Sequence, residues 1–210
     1  NVRNSSDIKA ACAGFTHAFD SAYLQVANHK GPHLVVGTET LTKYVDYEEL
    51  NCDLFGDGCG LVVLAKTNSP TRGIISTCHN SDTSGINFIY KAKTGKLRMP
   101  PGPEVFKMAT RSMIDMSHEL LETTGYKKED MKLVIPHQLN GNALDLIERK
   151  EMLPKGVLYR SIEKYGNMSS ATVPFALSEA LESGRIKEND LVMLLAVGSG
   201  IVSSGALLRI

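Results

Sequence analysis

The strongest constraint on this chain is an arrangement that occurs twice. In each half a helix of small and apolar residues leads through a glycine into an apolar strand. Each half also carries a Gly-x-Gly turn and a further strand, LFGDGCGLVVLA at 54–65 and VGSGIVSSGALL at 197–208. Units that alternate helix and strand favour an α/β architecture with two related sheets. HLVVG at 33–37 lacks polar alternation, as a strand covered on both faces would. The pattern predicts a strand end at 5–11 running into a helix over 12–28, stopped by Gly31-Pro32. Further strands are expected near 33–37, 54–65, 73–79, 131–135, 190–197 and 201–210. Further helices are expected over 104–123, 140–151 and 169–182, with Pro174 tolerated only in a first turn. The methionines of 104–123 read as core filling. Residues 80–102 are polar and aperiodic and run into Pro100-Pro101-Gly102-Pro103, as a lid, binding loop or junction would. The organisation expected is a first half at 1–80, a connection at 81–103 and a second half at 104–210.

Composition narrows the function classes. Lys plus Arg and Asp plus Glu both total 23, a formal net charge of zero, which argues against a nucleic-acid or membrane-surface protein. The apolar run 191–197 is far short of the roughly 20 residues of a membrane span. Residues 1–9 are polar, so no signal peptide is expected. Cys12, Cys52, Cys59 and Cys78 lack metal-ligand spacing, so no metal site is expected; a domain of this size needs no disulfides, which points to a reducing, cytoplasmic location, the alternative being two disulfides in a secreted protein.

Three residues stand where chemistry could be done. Cys12, in ACAGF, falls where a strand meets a helix start. Free backbone N–H groups there stabilise a thiolate, so its pKa is expected to drop toward neutrality, and its own N–H can face a developing oxyanion. The competing reading is a buried structural cysteine. His137, in IPHQLN, directly follows an apolar strand, at the carboxyl end where α/β sheets bind ligands; the competing reading is a satisfied core histidine. Asn167, in YGNMSS, lies in a turn before a helix, where a cap is the competing reading. His17, His29, His33, His79 and His118 lack any such context. The order Cys, His, Asn also fits a papain-like peptidase, but Cys-Gly-Ser/Ala-Cys-Trp is absent and the chain has no Trp.

Taken together, ACAGF at 11–15, VVGTE at 35–39, LFGDGCG at 54–60, PHQLN at 136–140, YGNMSSATVP at 165–174 and VGSG at 197–200 resemble the thiolase-like condensing enzymes, specifically the β-ketoacyl-acyl-carrier-protein synthase III family. The segments occur in the family's order across essentially the whole chain. The resemblance implies a layered αβαβα fold of two pseudo-repeated halves. It puts Cys12 on the nucleophile, His137 and Asn167 on the family's His and Asn, and the backbone N–H groups of Cys12 and Ser199 on the oxyanion hole. It implies an acyltransferase of fatty acid or related polyketide biosynthesis. The acyl group passes from acyl-CoA to Cys12, and a malonyl thioester on acyl carrier protein then condenses with it after losing CO2. No cofactor or metal is implied, acyl-CoA being a substrate; a cytoplasmic homodimer is implied.

Some positions depart from the family. The chain begins almost at the nucleophile, whereas family members carry several strands and helices before it. Residues 1–210 alone are therefore not expected to form an active soluble monomer unless another chain supplies those strands. Leu139-Asn140-Gly141-Asn142 lacks the basic residue used to dock the carrier protein, a role Arg149 and Lys150 could take. Ser199 stands where glycine is usual, Cys59 where a small residue is, and Val197 where an aromatic is common, which leaves acyl preference open. A non-catalytic condensing-enzyme subunit and an acyltransferase of secondary metabolism are the alternatives.

Overall fold

The computed structural model describes residues 4–28, 31–49, 51–99, 103–151 and 153–210. Residues 4–10 have no regular structure, and one 3₁₀ turn (Ala11–Ala13) carries the chain into α1 (Gly14–Asn28). There follow β1 (His33–Thr40), β2 (Asp57–Leu64), β3 (Gly73–Ser81), the two-residue strands β4 (Tyr90–Lys91) and β5 (Leu97–Arg98), and α2 (Glu104–Thr124). The remainder is β6 (Met131–Pro136), α3 (Gly141–Glu151), the short α4 (Ile162–Tyr165), α5 (Thr172–Glu182), β7 (Leu191–Gly198) and β8 (Val202–Arg209). Pro174 falls in the first turn of α5, where its missing N–H would have no intrahelical partner. His29 and the Pro100-Pro101-Gly102 run lie outside the described residues.

Four strands form one sheet in the order β3-β8-β7-β6. Only β6 and β7 in it run parallel. Strand β7 is central and buried along its whole length, which is why 191–197 is apolar without alternation. Its side chains still divide by face. Val192, Leu194 and Ala196 join a core with Phe15 and Phe19 of α1 and Ala176 and Leu177 of α5. Leu191, Met193, Leu195 and Val197 join a second core with Met113, Met116 and Leu120 of α2 and Leu144 and Ile147 of α3. Met113 and Met116 of α2 are thus core residues, and Met108 packs half-buried against the same cluster.

Strands β1 and β2 form a separate antiparallel ribbon. Its inner face, including Val35 and Val62, packs on the α1–α5 layer from the side opposite the sheet. The layers therefore run helix (α2, α3), sheet, helix (α1, α5), ribbon, four of the five layers expected of a thiolase-like fold. One expectation is corrected here. Strand β1 is covered on one face: Leu34 and Val36 are 61% and 44% exposed, opposite exposed Val63 and Leu61 on β2. Among the described residues nothing packs on that outer face. Strand β3 precedes the 81–103 connection yet pairs with β8, so its hydrogen bonds join it to the second half's sheet.

No helix among the described residues is long and apolar enough to cross a membrane.

Candidate active site

The 3₁₀ turn that carries Cys12 packs between β7 and a second 3₁₀ turn, Ser169–Ala171, that follows Asn167. Both turns contain a non-glycine residue in the left-handed region, Ala11 at φ 46° and Ser169 at φ 47°. Each such residue costs of order 1 kcal/mol and persists only where its surroundings impose it. Here the imposition is mutual, because the two turns abut.

Cys12 is half-buried. Burial pushes its thiol up to about 11, with a smaller upward push from the Glu39 carboxylate. The Ser169 hydroxyl and the Cys12 N–H pull it down by less. The expected drop toward neutrality is therefore reversed. Ala11–Ala13 is a single 3₁₀ turn that precedes α1, and the desolvation of the sulfur by burial outweighs the local N–H groups.

Asn167 is buried and its functional groups are divided. Its backbone is bound by the first half's Gly-rich motif: its N–H donates to the Leu54 carbonyl at 2.8 Å, and its carbonyl accepts from Gly56 N–H at 3.0 Å. Its Oδ1 accepts from the Ser169 N–H at 2.9 Å. The Nδ2 group is left to donate elsewhere. The FGDGCG motif is thus a packing platform. A Cβ on Gly56 would overlap the Tyr165 carbonyl, one on Gly58 the Met168 side chain, and one on Gly60 the Phe175 backbone. Only residues without a side chain let the Asn167 segment lie this close.

His137 follows β6 directly. Its N–H extends the parallel ladder to the Leu195 carbonyl at 2.7 Å, which sets it at the same sheet end as the Gly198-Ser199-Gly200 turn after β7. The residue is 0% exposed, and neither ring nitrogen has a hydrogen-bond partner among the described residues. Burial pushes its pKa down to about 4, so at neutral pH the ring carries one N–H donor and one lone pair. Gln138 fixes the loop: Nε2 donates to the Pro136 and Tyr159 carbonyls, and Oε1 accepts from the Ser161 and Ile162 N–H groups.

The turn after β7 lies against the nucleophile. A Cβ on Gly198 would stand 3.0 Å from the Cys12 nitrogen and 2.5 Å from the Ala10 carbonyl oxygen. Cys12 and Asn167 are thus joined through Ser169, Cys12 and Ser199 through Gly198, and His137 shares the sheet end with Ser199. A papain-like arrangement does not fit, since Asn167 Oδ1 is held by Ser169 and no hydrogen bond joins His137 to Cys12 or Asn167. Sequence reasoning missed Ser169 and Glu39. Glu39, on β1, accepts from Ser170 Oγ at 2.7 Å and so ties the Ser169–Ala171 turn to the ribbon. Its place two residues after Asn167 was the one available signal for Ser169; a lone carboxylate in VVGTE gave none for Glu39. Among the described residues no group of three or more His, Cys, Asp or Glu side chains is placed to hold a metal.

Comparison with known proteins gives this arrangement a family. A family model described as 3-oxoacyl-[acyl-carrier-protein] synthase III matches residues 6–83, and one described as the C terminal of the same synthase matches 121–210. The β-ketoacyl-[acyl-carrier-protein] synthase III of Aquifex aeolicus is 39% identical over 205 residues, covering 97% of this chain and 66% of that protein. The crystal structure of the corresponding synthase from Thermus thermophilus superposes with a TM-score of 0.91 at 34% identity, covering 98% of this chain and 67% of that one. A priming β-ketosynthase from the R1128 polyketide pathway gives a TM-score of 0.91 at 29% identity, covering 99% and 66%. The chain thus spans about two thirds of the length of the relatives it matches.

Proposed function

Because the chain belongs to the 3-oxoacyl-[acyl-carrier-protein] synthase III family, we propose that it carries the acyl-transfer and condensation centre of such a synthase, with Cys12 as nucleophile and His137 and Asn167 as hydrogen-bond donors. The observation that carries this reading is the packing of the Cys12 turn directly against the Ser169–Ala171 turn, in which the Ser169 N–H holds Asn167 Oδ1 at 2.9 Å so that Nδ2 remains a donor.

In the first half-reaction Cys12 attacks the carbonyl of an acyl-CoA. The new carbon–sulfur bond replaces the bond to CoA, and the cysteine proton leaves with the CoA thiol. The thiol starts protonated, so the charge that develops on the carbonyl oxygen needs donors already in place. The Cys12 and Ser199 N–H groups are assigned that role.

In the second half-reaction a malonyl thioester on acyl carrier protein loses CO2. The electron pair left behind forms an enolate whose oxygen accepts hydrogen bonds from the His137 ring N–H and Asn167 Nδ2. The enolate carbon attacks the acyl group, and Cys12 is released and regains a proton from solvent. A neutral imidazole suits this step, because an imidazolium would protonate the carbanion it is meant to stabilise. Both donors sit in a buried, low-dielectric setting that strengthens such bonds. Carrier-protein docking on the α3 side, through Arg149 or Lys150, and the division into halves about the 81–103 connection belong to the same reading.

Incubation with acetyl-CoA followed by intact-mass measurement tests it. A single acetyl adduct is expected on the unaltered protein and none on Cys12→Ala. An adduct that persists in Cys12→Ala would remove the nucleophile assignment. The likeness to the polyketide priming enzyme favours a second reading, in which the same condensation starts a polyketide chain; turnover with carrier proteins of the two pathways separates them.

A further inference from the structure

Ser199 sits in the turn whose backbone N–H is assigned to the oxyanion hole, a role that needs no side chain. Its hydroxyl nevertheless has a fixed partner, donating to the Ile89 carbonyl at 2.5 Å. Ile89 ends a stretch, 82–89, that also grips the far side of the same turn. The Asp82 N–H donates to the Ile201 carbonyl at 2.8 Å, and the Ile201 N–H donates back to the Asp82 carbonyl. A Cβ on Gly85 would stand 2.7 Å from Ile201 Cγ1 and 3.2 Å from the Ile201 nitrogen, so the Gly85 backbone lies close against Ile201 there as well. The near side of the turn is set by Gly198, pressed against Ala10 and Cys12. Ser199 lies between these two anchored ends. Its φ is not in the left-handed region, so a side chain is carried there without strain.

We propose that Ser199 is a positioning residue for acyl transfer: its hydroxyl ties the oxyanion turn to the 82–89 connecting stretch and so holds the Ser199 N–H where charge develops on the thioester oxygen. This rests on the acyl-transfer reading above. An oxyanion donor contributes only if it is aimed before the charge forms, and losing one outright costs roughly 100- to 1000-fold in rate. Loosening a donor that is still present costs less, on the order of tenfold. A glycine at the same place would leave the peptide its widest freedom. The connecting stretch, which touches neither Cys12 nor Asn167 by hydrogen bond, thereby gains a line of influence on the first chemical step.

The test is the rate of acetyl-enzyme formation at saturating acetyl-CoA, read by rapid-quench intact mass, in the unaltered protein, Ser199→Ala, Ser199→Gly and Ser199→Thr. Acetyl-CoA affinity is measured in parallel on the Cys12→Ala background. Ser199→Ala and Ser199→Gly are expected to acylate about tenfold more slowly with unchanged affinity, and Ser199→Thr to recover most of the rate. Amide hydrogen exchange across 82–91 and 198–203 should quicken in the Ala and Gly variants alone. If Ser199→Ala fails to fold, Ser199→Gly carries the comparison. A rate in Ser199→Gly equal to that of the unaltered protein overturns the proposal, as does a Thr variant as slow as Ala. Failure of the unaltered protein to form any acetyl-enzyme is a separate outcome, which overturns the acyl-transfer reading and this inference with it.

Discussion

The Ser169 amide donates to Asn167 Oδ1 at 2.9 Å, which decides which end of that carboxamide is free. The oxygen is occupied, so Nδ2 is the group left for a substrate. Asn167→Asp keeps the shape and the bond from Ser169 but puts an acceptor where the donor was. Malonyl decarboxylation is expected to fall about 100- to 1000-fold, the range seen when one oxyanion donor is removed, while acetylation of Cys12 falls only a few-fold. Separate assays of CO2 release and acetyl-enzyme check this; equal losses in both half-reactions would argue against a donor role in the second.

Cys12 predicts its own pH profile. Because burial pushes the thiol up to about 11, alkylation by iodoacetamide should climb through pH 9 and 10 without levelling off. Ser169→Ala removes a hydrogen bond that lowers the thiol pKa and should slow alkylation at pH 9 further. Peptide mapping isolates Cys12 from the other cysteines. A plateau reached by pH 8 would show a sulfur far less desolvated than this one.

His137 links stability to pH. In the unfolded chain its ring takes up a proton near 6.5, the ordinary value for histidine, but in the buried site only near about 4. Between those values the unfolded state binds more protons, so stability falls as pH drops from 6.5 to 4. The loss attributable to this one group is about 3 kcal/mol, an order-of-magnitude figure. Urea unfolding of the unaltered protein and His137→Asn at pH 7 and pH 4.5 measures it. The variant should lose less stability over that interval; identical slopes would mean the imidazole is solvated.

The Gly-rich platform gives a steric prediction. Gly60→Ala puts a Cβ into the Phe175 and Pro174 backbone, where no side-chain rotation relieves the overlap. A cost of about 2–4 kcal/mol is expected, with the Asn167 segment displaced. Gly141→Ala, whose Cβ would meet nothing nearer than Arg160 Nη2 at 3.8 Å, is the control and should fall within about 0.5 kcal/mol of neutral or be mildly stabilising. Equal melting temperatures for the two variants would refute the platform.

Much of the architecture was readable before any coordinates. The positions of α2 and β7 follow from hydrophobic periods of 3.6 and from an unbroken apolar run, and Pro174 falls in the first turn of its helix as its chemistry demands. Cys12, His137 and Asn167 were each singled out from strand-end and turn context. Less was readable about their states. A helix start argued for an acidic thiol, yet the sulfur is governed by burial among elements distant along the chain, β7 and the Ser169–Ala171 turn. FGDGCG reads in sequence as a turn before a strand, whereas Asp57–Gly60 already belong to β2, and its use as a bed for 165–175 depends on residues more than a hundred positions away.

The sequence by itself determined the order of helices and strands, the α/β class and which residues are candidates for chemistry, because each of those depends on side chains a few positions apart. Tertiary structure alone decided that β3 pairs with β8, that no described residue covers the outer face of the β1–β2 ribbon, that the Cys12 thiol is raised, and that Ser199 is latched to Ile89. Desolvation and close approach are sums over atoms that are neighbours in space but distant along the chain, and no local pattern encodes them.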